Sequence, residues 1–89
     1  MSAYPPVLIY SSNFCPFCVR AKYIFQQKSI PFEEINVDTD SAQRQLMMQK
    51  SGRRTVPQIW IGERHVGGCD DLMALQRSGE LDRLLGIES

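Results

Sequence analysis

The chain has 89 residues, of which 43% are hydrophobic and 22% are charged, and its formal net charge is zero. This charge balance argues against a general binder of nucleic acid or of anionic membranes. No apolar run approaches the ~18 residues that a membrane span needs. We therefore expect one soluble globular domain that covers residues 1–89.

The cysteine content indicates a reducing compartment. The chain has three cysteines, which are too few and of the wrong parity for a disulfide scaffold. A Cys-x-x-Cys pair in such a compartment is more often catalytic or metal-binding than structural. The first residues also lack the basic and long apolar regions of a secretory signal. We expect a cytoplasmic protein.

Short apolar runs and turn residues predict the first three elements. The apolar run Val7–Tyr10 indicates a buried strand that enters a loop at Ser11–Asn13. Pro16 suits the first turn of a helix that continues to Lys28, because a missing N–H costs little at that position. A second strand is predicted from the apolar residues Phe32, Ile35 and Val37.

A second helix is predicted after this strand. Asp40 or Ser41 can cap its start, and Ser51-Gly52 ends it. Its buried face is expected to carry Ala42, Leu46 and Met47.

The remaining elements are a hairpin and two helical segments. Gln58–Ile61 and Arg64–Val66 flank a tight turn, and His65 is expected to be a surface side chain on the second of these strands. Helical segments follow at Asp70–Arg77 and Leu81–Leu85.

This order of elements predicts the fold. A helix between the first two strands implies a right-handed crossover and hence a parallel pair. The hairpin adds an antiparallel pair. We predict an α/β protein with a thioredoxin-like fold, in which a four-stranded mixed sheet has helices on both faces.

The motif Cys15-Pro16-Phe17-Cys18 lies where the first strand ends and the first helix begins. Unpaired N–H groups and the helix dipole stabilise a thiolate there. We predict that Cys15 is the nucleophile and that Cys18, one turn further in, is the resolving thiol. A zinc site is the weaker alternative, because it needs about four ligands and Cys69 and His65 are the remaining candidates. Two inert core cysteines are a further alternative.

A binding surface for a small charged peptide is predicted from two segments. In Thr55-Val56-Pro57, a cis bond before Pro57 would leave the Val56 backbone free to pair with an extended ligand, although a plain turn remains possible. Cys69-Asp70-Asp71 opens a helix whose N–H groups can grip a carboxylate while an aspartate holds an ammonium group. These aspartates could equally be ordinary residues of a helix start.

Glutathione fits such a surface, because it has a carboxylate at one end and a carboxylate with an ammonium group at the other. The positive charge for a carboxylate would come from a basic cluster of Lys50, Arg53 and Arg54. The alternative is that these three residues belong to an ordinary solvated loop.

The chain resembles the glutaredoxins, in particular the small dithiol bacterial class, over essentially its whole length. The matching motifs are Cys15-Pro16-Phe17-Cys18, Arg20-Ala21-Lys22, Ser51-Gly52-Arg53, Thr55-Val56-Pro57 and Gly67-Gly68-Cys69-Asp70-Asp71. The resemblance implies a glutathione-dependent disulfide oxidoreductase that reduces protein–glutathione mixed disulfides and protein disulfides. Glutathione would be its reducing co-substrate, with no tightly bound cofactor, no metal, no nucleic-acid or membrane partner, and a monomeric state.

The resemblance also implies residue roles. Cys15 would take up glutathione as a mixed disulfide, and Cys18 would resolve protein disulfides. Pro57 would be cis, Val56 would bind the glutathione backbone, and Arg53 would face the glycine carboxylate. Asp70 and the helix N–H groups would hold the γ-glutamyl end. The implied glutathione-binding set is Phe17, Arg53, Thr55, Val56, Pro57, Gly68, Cys69 and Asp70.

The chain departs from the family at two positions: Phe17 stands where a tyrosine is frequent, and Ser12 stands where many members have a lysine. Cys69 matches a third cysteine of some members and is expected to be a small buried residue, with a regulatory thiol or a metal ligand as alternatives. Two other functions remain open. These are a thioredoxin-type reductase and an iron–sulfur carrier that bridges two chains through Cys15 and two glutathiones.

Overall fold

The computed structural model describes residues 4–87, and its elements follow the predicted order. The third helix begins at Cys69, the residue with which Cys69-Asp70-Asp71 is predicted to open a helix. The elements are β1 (Val7–Ser11), α1 (Pro16–Gln27), β2 (Glu33–Asn36), α2 (Ser41–Ser51), β3 (Gln58–Ile61), β4 (Arg64–Gly67), α3 (Cys69–Ser78) and α4 (Glu80–Leu85).

The four strands of the described chain form one mixed sheet in the order β2-β1-β3-β4. β1 and β2 are parallel, as the crossover through α1 requires, whereas β1 with β3 and β3 with β4 are antiparallel. The predicted fold is therefore confirmed. Since β1 and β3 run in opposite directions, the end of β1 lies beside the start of β3, and Tyr10 pairs with Gln58.

Helices cover both faces of the sheet because side chains alternate along its strands. Val7 and Ile9 of β1 pack in one hydrophobic cluster with residues of α1, α3 and α4. Leu8 and Tyr10 belong to a second cluster, which includes Met47 of α2. The side chains of Val7 to Tyr10 thus point alternately to the two faces of the sheet and contribute to both hydrophobic clusters.

The predicted ends of α2 are confirmed. The Asp40 carboxylate accepts a hydrogen bond from Gln43 N–H at 3.1 Å, which caps the first turn. Gly52 ends the helix in the left-handed region at φ +71°, where a residue without Cβ is favoured. Its N–H donates to the Met48 carbonyl at 2.9 Å.

The predicted buried face of α2 is wrong for two of its three residues. Met47 is fully buried, but Ala42 is exposed and Leu46 is 40% exposed. The helix is rotated so that Met47 and the half-buried Met48 meet the sheet, while Ala42 and Leu46, one turn apart, face solvent. Three consecutive apolar residues, Leu46 to Met48, do not specify the rotation of a helix.

This rotation predicts unequal costs for two neighbouring substitutions. Met47→Ala should lower the free energy of unfolding by about 3 kcal/mol, because it leaves a cavity in the core. The control Leu46→Ala should change it by about 0.5 kcal/mol or less. Chemical denaturation of the two variants measures the difference, and equal losses would contradict this position of α2.

Candidate active site

The loop after β1 brings Cys15 to the N-terminus of α1, where it is the N-cap residue. The Cys15 Sγ accepts a hydrogen bond from Cys18 N–H at 3.2 Å, and the Cys15 carbonyl accepts one from Val19 N–H at 3.1 Å. An N–H donor together with the helix dipole stabilises negative charge on this sulfur. The predicted position of Cys15 at the start of a helix is confirmed.

The two cysteines differ in exposure, and burial affects the ionisation of the inner one. Both are free, but Cys15 is half-buried, whereas Cys18 is buried with 2% exposure. Burial, together with the hydrogen bond to Cys15, raises the pKa of Cys18 to about 12. Cys18 is therefore a neutral thiol at neutral pH, one helical turn behind an accessible sulfur.

The turn before β3 lies directly beside Cys15. The Val56–Pro57 peptide bond is cis, as the resemblance implies, and the Val56 carbonyl is 3.9 Å from the Cys15 Sγ. Within residues 4–87, no acceptor takes up the Val56 N–H. A backbone donor and an acceptor are thus available to a ligand next to the sulfur.

A cavity of about 320 Å³ extends from this turn to the start of α3. We call it the α3 groove. All eight residues that the resemblance implies for glutathione line it, together with Asp71. The lining residues are Phe17, Arg53, Thr55, Val56, Pro57, Gly68, Cys69, Asp70 and Asp71.

Asp71 is a groove residue that the sequence analysis did not assign. Its carboxylate accepts hydrogen bonds from Gly68 N–H at 2.9 Å and from Arg53 at 3.0 Å. Both contacts lower the pKa of Asp71, and the hydrogen bond from Gly68 N–H has the larger effect. The spacing of a helix-capping residue at Gly68 and a carboxylate three residues later is the signal that could have indicated this role.

Glycine is required where β4 turns into α3. Gly67 has φ +115°, a conformation that residues with a side chain rarely adopt. A Cβ at this position would collide with the Asp71 carboxylate and approach the Arg53 guanidinium to 3.2 Å. The backbone therefore passes close to both charged groups, and this close approach keeps them beside the groove.

The predicted basic cluster is divided in the structure. Arg53 lines both the α3 groove and a second cavity at the end of α2, whereas Arg54 lines only the second cavity. The Lys50 ammonium lies 4.7 Å from the centroid of the Trp60 ring, where a cation–π contact is favourable. The positive charge of the groove thus comes from Arg53.

His65 is half-buried, so its prediction as a surface side chain is wrong. It is paired with Trp60 across the β3–β4 hairpin, and the two rings are 4.5 Å apart. Burial and the nearby Arg53 lower the pKa of His65. Its Nε2 lies 2.8 Å from the side-chain oxygen of Gln58.

The buried Gln58 connects this hairpin to the groove. Its side-chain N–H₂ donates to the Thr55 carbonyl at 3.0 Å and to the Thr55 hydroxyl oxygen at 3.2 Å. These contacts hold the Thr55–Pro57 turn beside Cys15. The sequence pattern places Gln58 in a strand but does not indicate this role.

Cys69 is the first residue of α3 and is 4% exposed, in agreement with a small buried residue. Burial raises the pKa of its thiol. Among residues 4–87, no group of three or more histidine, cysteine, aspartate or glutamate side chains is placed to hold a metal ion.

Comparison with known proteins assigns this arrangement to a family. The family model described as glutaredoxin matches residues 7–66. Glutaredoxin from Pseudomonas aeruginosa is 56% identical over 81 residues, which cover 91% of this chain and 96% of that protein. Glutaredoxin 3 from Escherichia coli is 49% identical over 79 residues, which cover 89% and 95%.

Solved structures agree with these sequence matches. The solution structure of glutaredoxin from Brucella melitensis has a TM-score of 0.84 and 45% identity, with coverage of 97% of this chain and 94% of that chain. The buckwheat glutaredoxin–glutathione complex has a TM-score of 0.85 and 33% identity, with coverage of 94% and 78%. The predicted family, fold and activity are confirmed, and this chain belongs to the glutaredoxins, the glutathione-dependent thiol–disulfide oxidoreductases.

Proposed function

We propose that the chain reduces protein–glutathione mixed disulfides through Cys15 and protein disulfides through Cys15 and Cys18. The observation that carries this proposal is the position of the Cys15 Sγ. It receives an N–H hydrogen bond at the start of α1 and lies 3.9 Å from the Val56 carbonyl at the mouth of the α3 groove. A nucleophile and a site for a small peptide therefore adjoin.

The first reaction is a pair of thiol–disulfide exchanges. The Cys15 thiolate attacks the glutathione sulfur of the mixed disulfide. A Cys15–glutathione disulfide forms, the bond to the substrate cysteine breaks, and the substrate leaves as a thiolate that takes up a proton. A second glutathione thiolate then attacks the glutathione sulfur on Cys15, which releases glutathione disulfide and regenerates the Cys15 thiolate.

Protein disulfides need the second cysteine. Cys15 attacks one sulfur of the substrate, and Cys18, after losing its proton, displaces the bound protein and forms a Cys15–Cys18 disulfide. Two glutathiones then reduce that disulfide and are themselves oxidised to glutathione disulfide. The neutral, buried Cys18 suits this order of events, because it does not compete with Cys15 for the first attack.

The α3 groove offers a complementary group for each end of glutathione. We assign the glycine carboxylate to Arg53, the cysteine backbone to Val56, and the γ-glutamyl end to Asp70 and the first N–H groups of α3. Phe17, Thr55, Pro57, Gly68 and Cys69 form the walls. The buckwheat glutaredoxin that this chain resembles was solved with glutathione bound, which supports the assignment.

The ion pair of Arg53 and Asp71 leaves Arg53 available to the ligand. The two side chains are 49% and 45% exposed, and exposed pairs of this kind contribute about 0–1 kcal/mol. A carboxylate of the ligand can therefore share or replace the contact at little cost. The second tie of Asp71, to Gly68 N–H, keeps its carboxylate in place during this exchange.

We further propose that the whole chain, residues 1–89, acts as a monomer in the cytoplasm. A glutathione-reduced compartment supplies the electrons that the cycle consumes. No helix within residues 4–87 is long and apolar enough to cross a membrane. Sedimentation of the reduced protein tests the monomeric state, and a stable dimer would contradict it.

The different roles of the two cysteines predict that their serine variants differ in activity. Cys15→Ser should abolish the glutathione-dependent reduction of a glutathionylated peptide, because the nucleophile is lost. Cys18→Ser should keep most of this activity but lose the reduction of protein disulfides. A coupled assay with both substrates measures the two rates. If both variants were inactive towards the glutathionylated peptide, the one-cysteine route would be wrong.

The position of Arg53 predicts a specific loss of substrate binding. Arg53→Ala should raise the KM for a glutathione mixed disulfide about tenfold, which corresponds to about 1.4 kcal/mol, the range of one charge-assisted hydrogen bond. Arg54→Ala is the matched control, since it removes the same charge from a neighbouring residue outside the α3 groove. An equal increase in KM for the two variants would contradict the assignment of Arg53 to the binding site.

The raised pKa of Cys18 predicts how the thiol titrates. Because this pKa is about 12, Cys18 should stay protonated throughout the neutral range and ionise only in strong alkali. The ¹³Cβ chemical shift of labelled, reduced Cys18 should therefore be constant between about pH 5 and pH 9. A titration of Cys18 within that range would contradict its assignment as a neutral resolving thiol.

A further inference from the structure

Cys15 lies between two cavities, and the proposed function uses one of them. The second cavity has a volume of about 520 Å³ and is lined by Cys15 itself together with Phe14, Val19, Lys22 and Glu34. We call it the α1 groove. It lies along the first turns of α1, and Cys15 lines it but does not line the α3 groove.

Large apolar side chains border the α1 groove and face solvent. Phe14, next to the nucleophile, is fully exposed, and Val19 is 61% exposed. Tyr23 follows Val19 by one helical turn and is 47% exposed. Phe14 and Val19 line the α1 groove, and Tyr23 continues the exposed apolar face of α1 one turn beyond Val19; we call these three residues the Phe14 ridge. Exposed apolar surface that is grouped in this way marks interaction sites.

The conformation of Phe14 does not serve the stability of the chain. Its φ is +54°, in the left-handed region that bulky residues rarely adopt. Its ring is fully exposed and is therefore not packed in the core. A strained residue with an exposed aromatic side chain beside a nucleophile indicates a functional role.

The polar wall of the α1 groove carries no uncompensated charge. The Lys22 ammonium pairs with the Glu34 carboxylate at 2.9 Å. Glu34 also accepts a hydrogen bond from the Ser11 hydroxyl at 2.6 Å, and these contacts lower the pKa of Glu34. The groove therefore matches an uncharged, apolar partner better than a second glutathione, which carries two carboxylates.

The reaction itself requires a place for the other half of the substrate. When glutathione occupies the α3 groove, the residues that flank the glutathionylated cysteine need another surface beside Cys15. The α1 groove is such a surface, because Cys15 lines it together with Phe14 and Val19 of the Phe14 ridge.

We propose that the Phe14 ridge docks the polypeptide half of a glutathionylated protein, as an extended segment with an apolar residue next to its modified cysteine. This inference rests on the proposed function and assigns a sequence preference to the same site. A small mixed disulfide without flanking residues would not use the ridge.

The test compares two glutathionylated peptides that differ in the residues on either side of the cysteine, leucine in one and serine in the other. Wild-type protein should show a kcat/KM about tenfold higher for the leucine peptide, the ratio that partial burial of one apolar side chain gives. Phe14→Asn should abolish this preference, since asparagine tolerates a positive φ but has no apolar ring. The mixed disulfide of cysteine and glutathione should react equally with both proteins.

Leu46→Ala is the control, because Leu46 is an exposed apolar residue that lines neither groove. It should keep the preference for the leucine peptide. The proposal is overturned if wild type does not discriminate between the peptides, or if Phe14→Asn discriminates as well as wild type.

Three further results would also overturn the proposal. The first is an equal loss by Phe14→Asn on all three substrates, which would place Phe14 in the chemistry of Cys15. The second is a dimer that Phe14→Asn dissociates, which would assign the ridge to a second copy of the chain. The third is a changed dependence on glutathione concentration with the small substrate. Failure of the proposed function is distinguishable, since wild type would then not reduce the small substrate at all.

Discussion

The hydrogen bond from Cys18 N–H to the Cys15 Sγ is the interaction on which the site depends. It fixes the sulfur at the N-terminus of α1, where the helix dipole and an N–H donor stabilise negative charge. The same helix start directs Cys18 inwards, so that its thiol is buried and neutral. One local geometry therefore places one sulfur of the motif at an accessible helix N-terminus and buries the other as a neutral thiol, and this difference suits an ordered exchange reaction.

The topology of the sheet supplies the rest of the site. The end of β1 lies beside the start of β3, where Tyr10 pairs with Gln58, and the end of β4 lies beside Ile59 of β3. Three loops that are distant in sequence thus meet at one end of the sheet. They carry the nucleophile, the Val56–Pro57 turn and the start of α3. A change of strand register would separate these loops while each local motif stayed intact.

Residues whose role follows from their own segment could be predicted from the sequence. Cys15 at a helix start, Asp40 as a cap and the order of the strands are of this kind. The contacts of Asp71 with Arg53 and of Gln58 with Thr55 and His65 depend on which side chains the folded chain brings together, and local patterns do not encode this. The prediction of the buried face of α2 was wrong for a related reason. Packing against the sheet determines which apolar residues of that helix are buried, and the helix's own sequence does not specify it.

The polar groups around the α3 groove divide into a fixed set and an exchangeable set. Gln58 is fully buried, so losing its partners would leave unsatisfied polar atoms in the core, at a cost of about 1–3 kcal/mol for each group. The contacts between Gln58 and Thr55 therefore keep the turn beside Cys15 in one position. Arg53 and Asp71 are about half exposed, so water can replace their contact and a ligand can compete for it. The turn beside Cys15 is therefore held by buried contacts, whereas the exposed contact between Arg53 and Asp71 can be replaced by contacts to water or to a ligand.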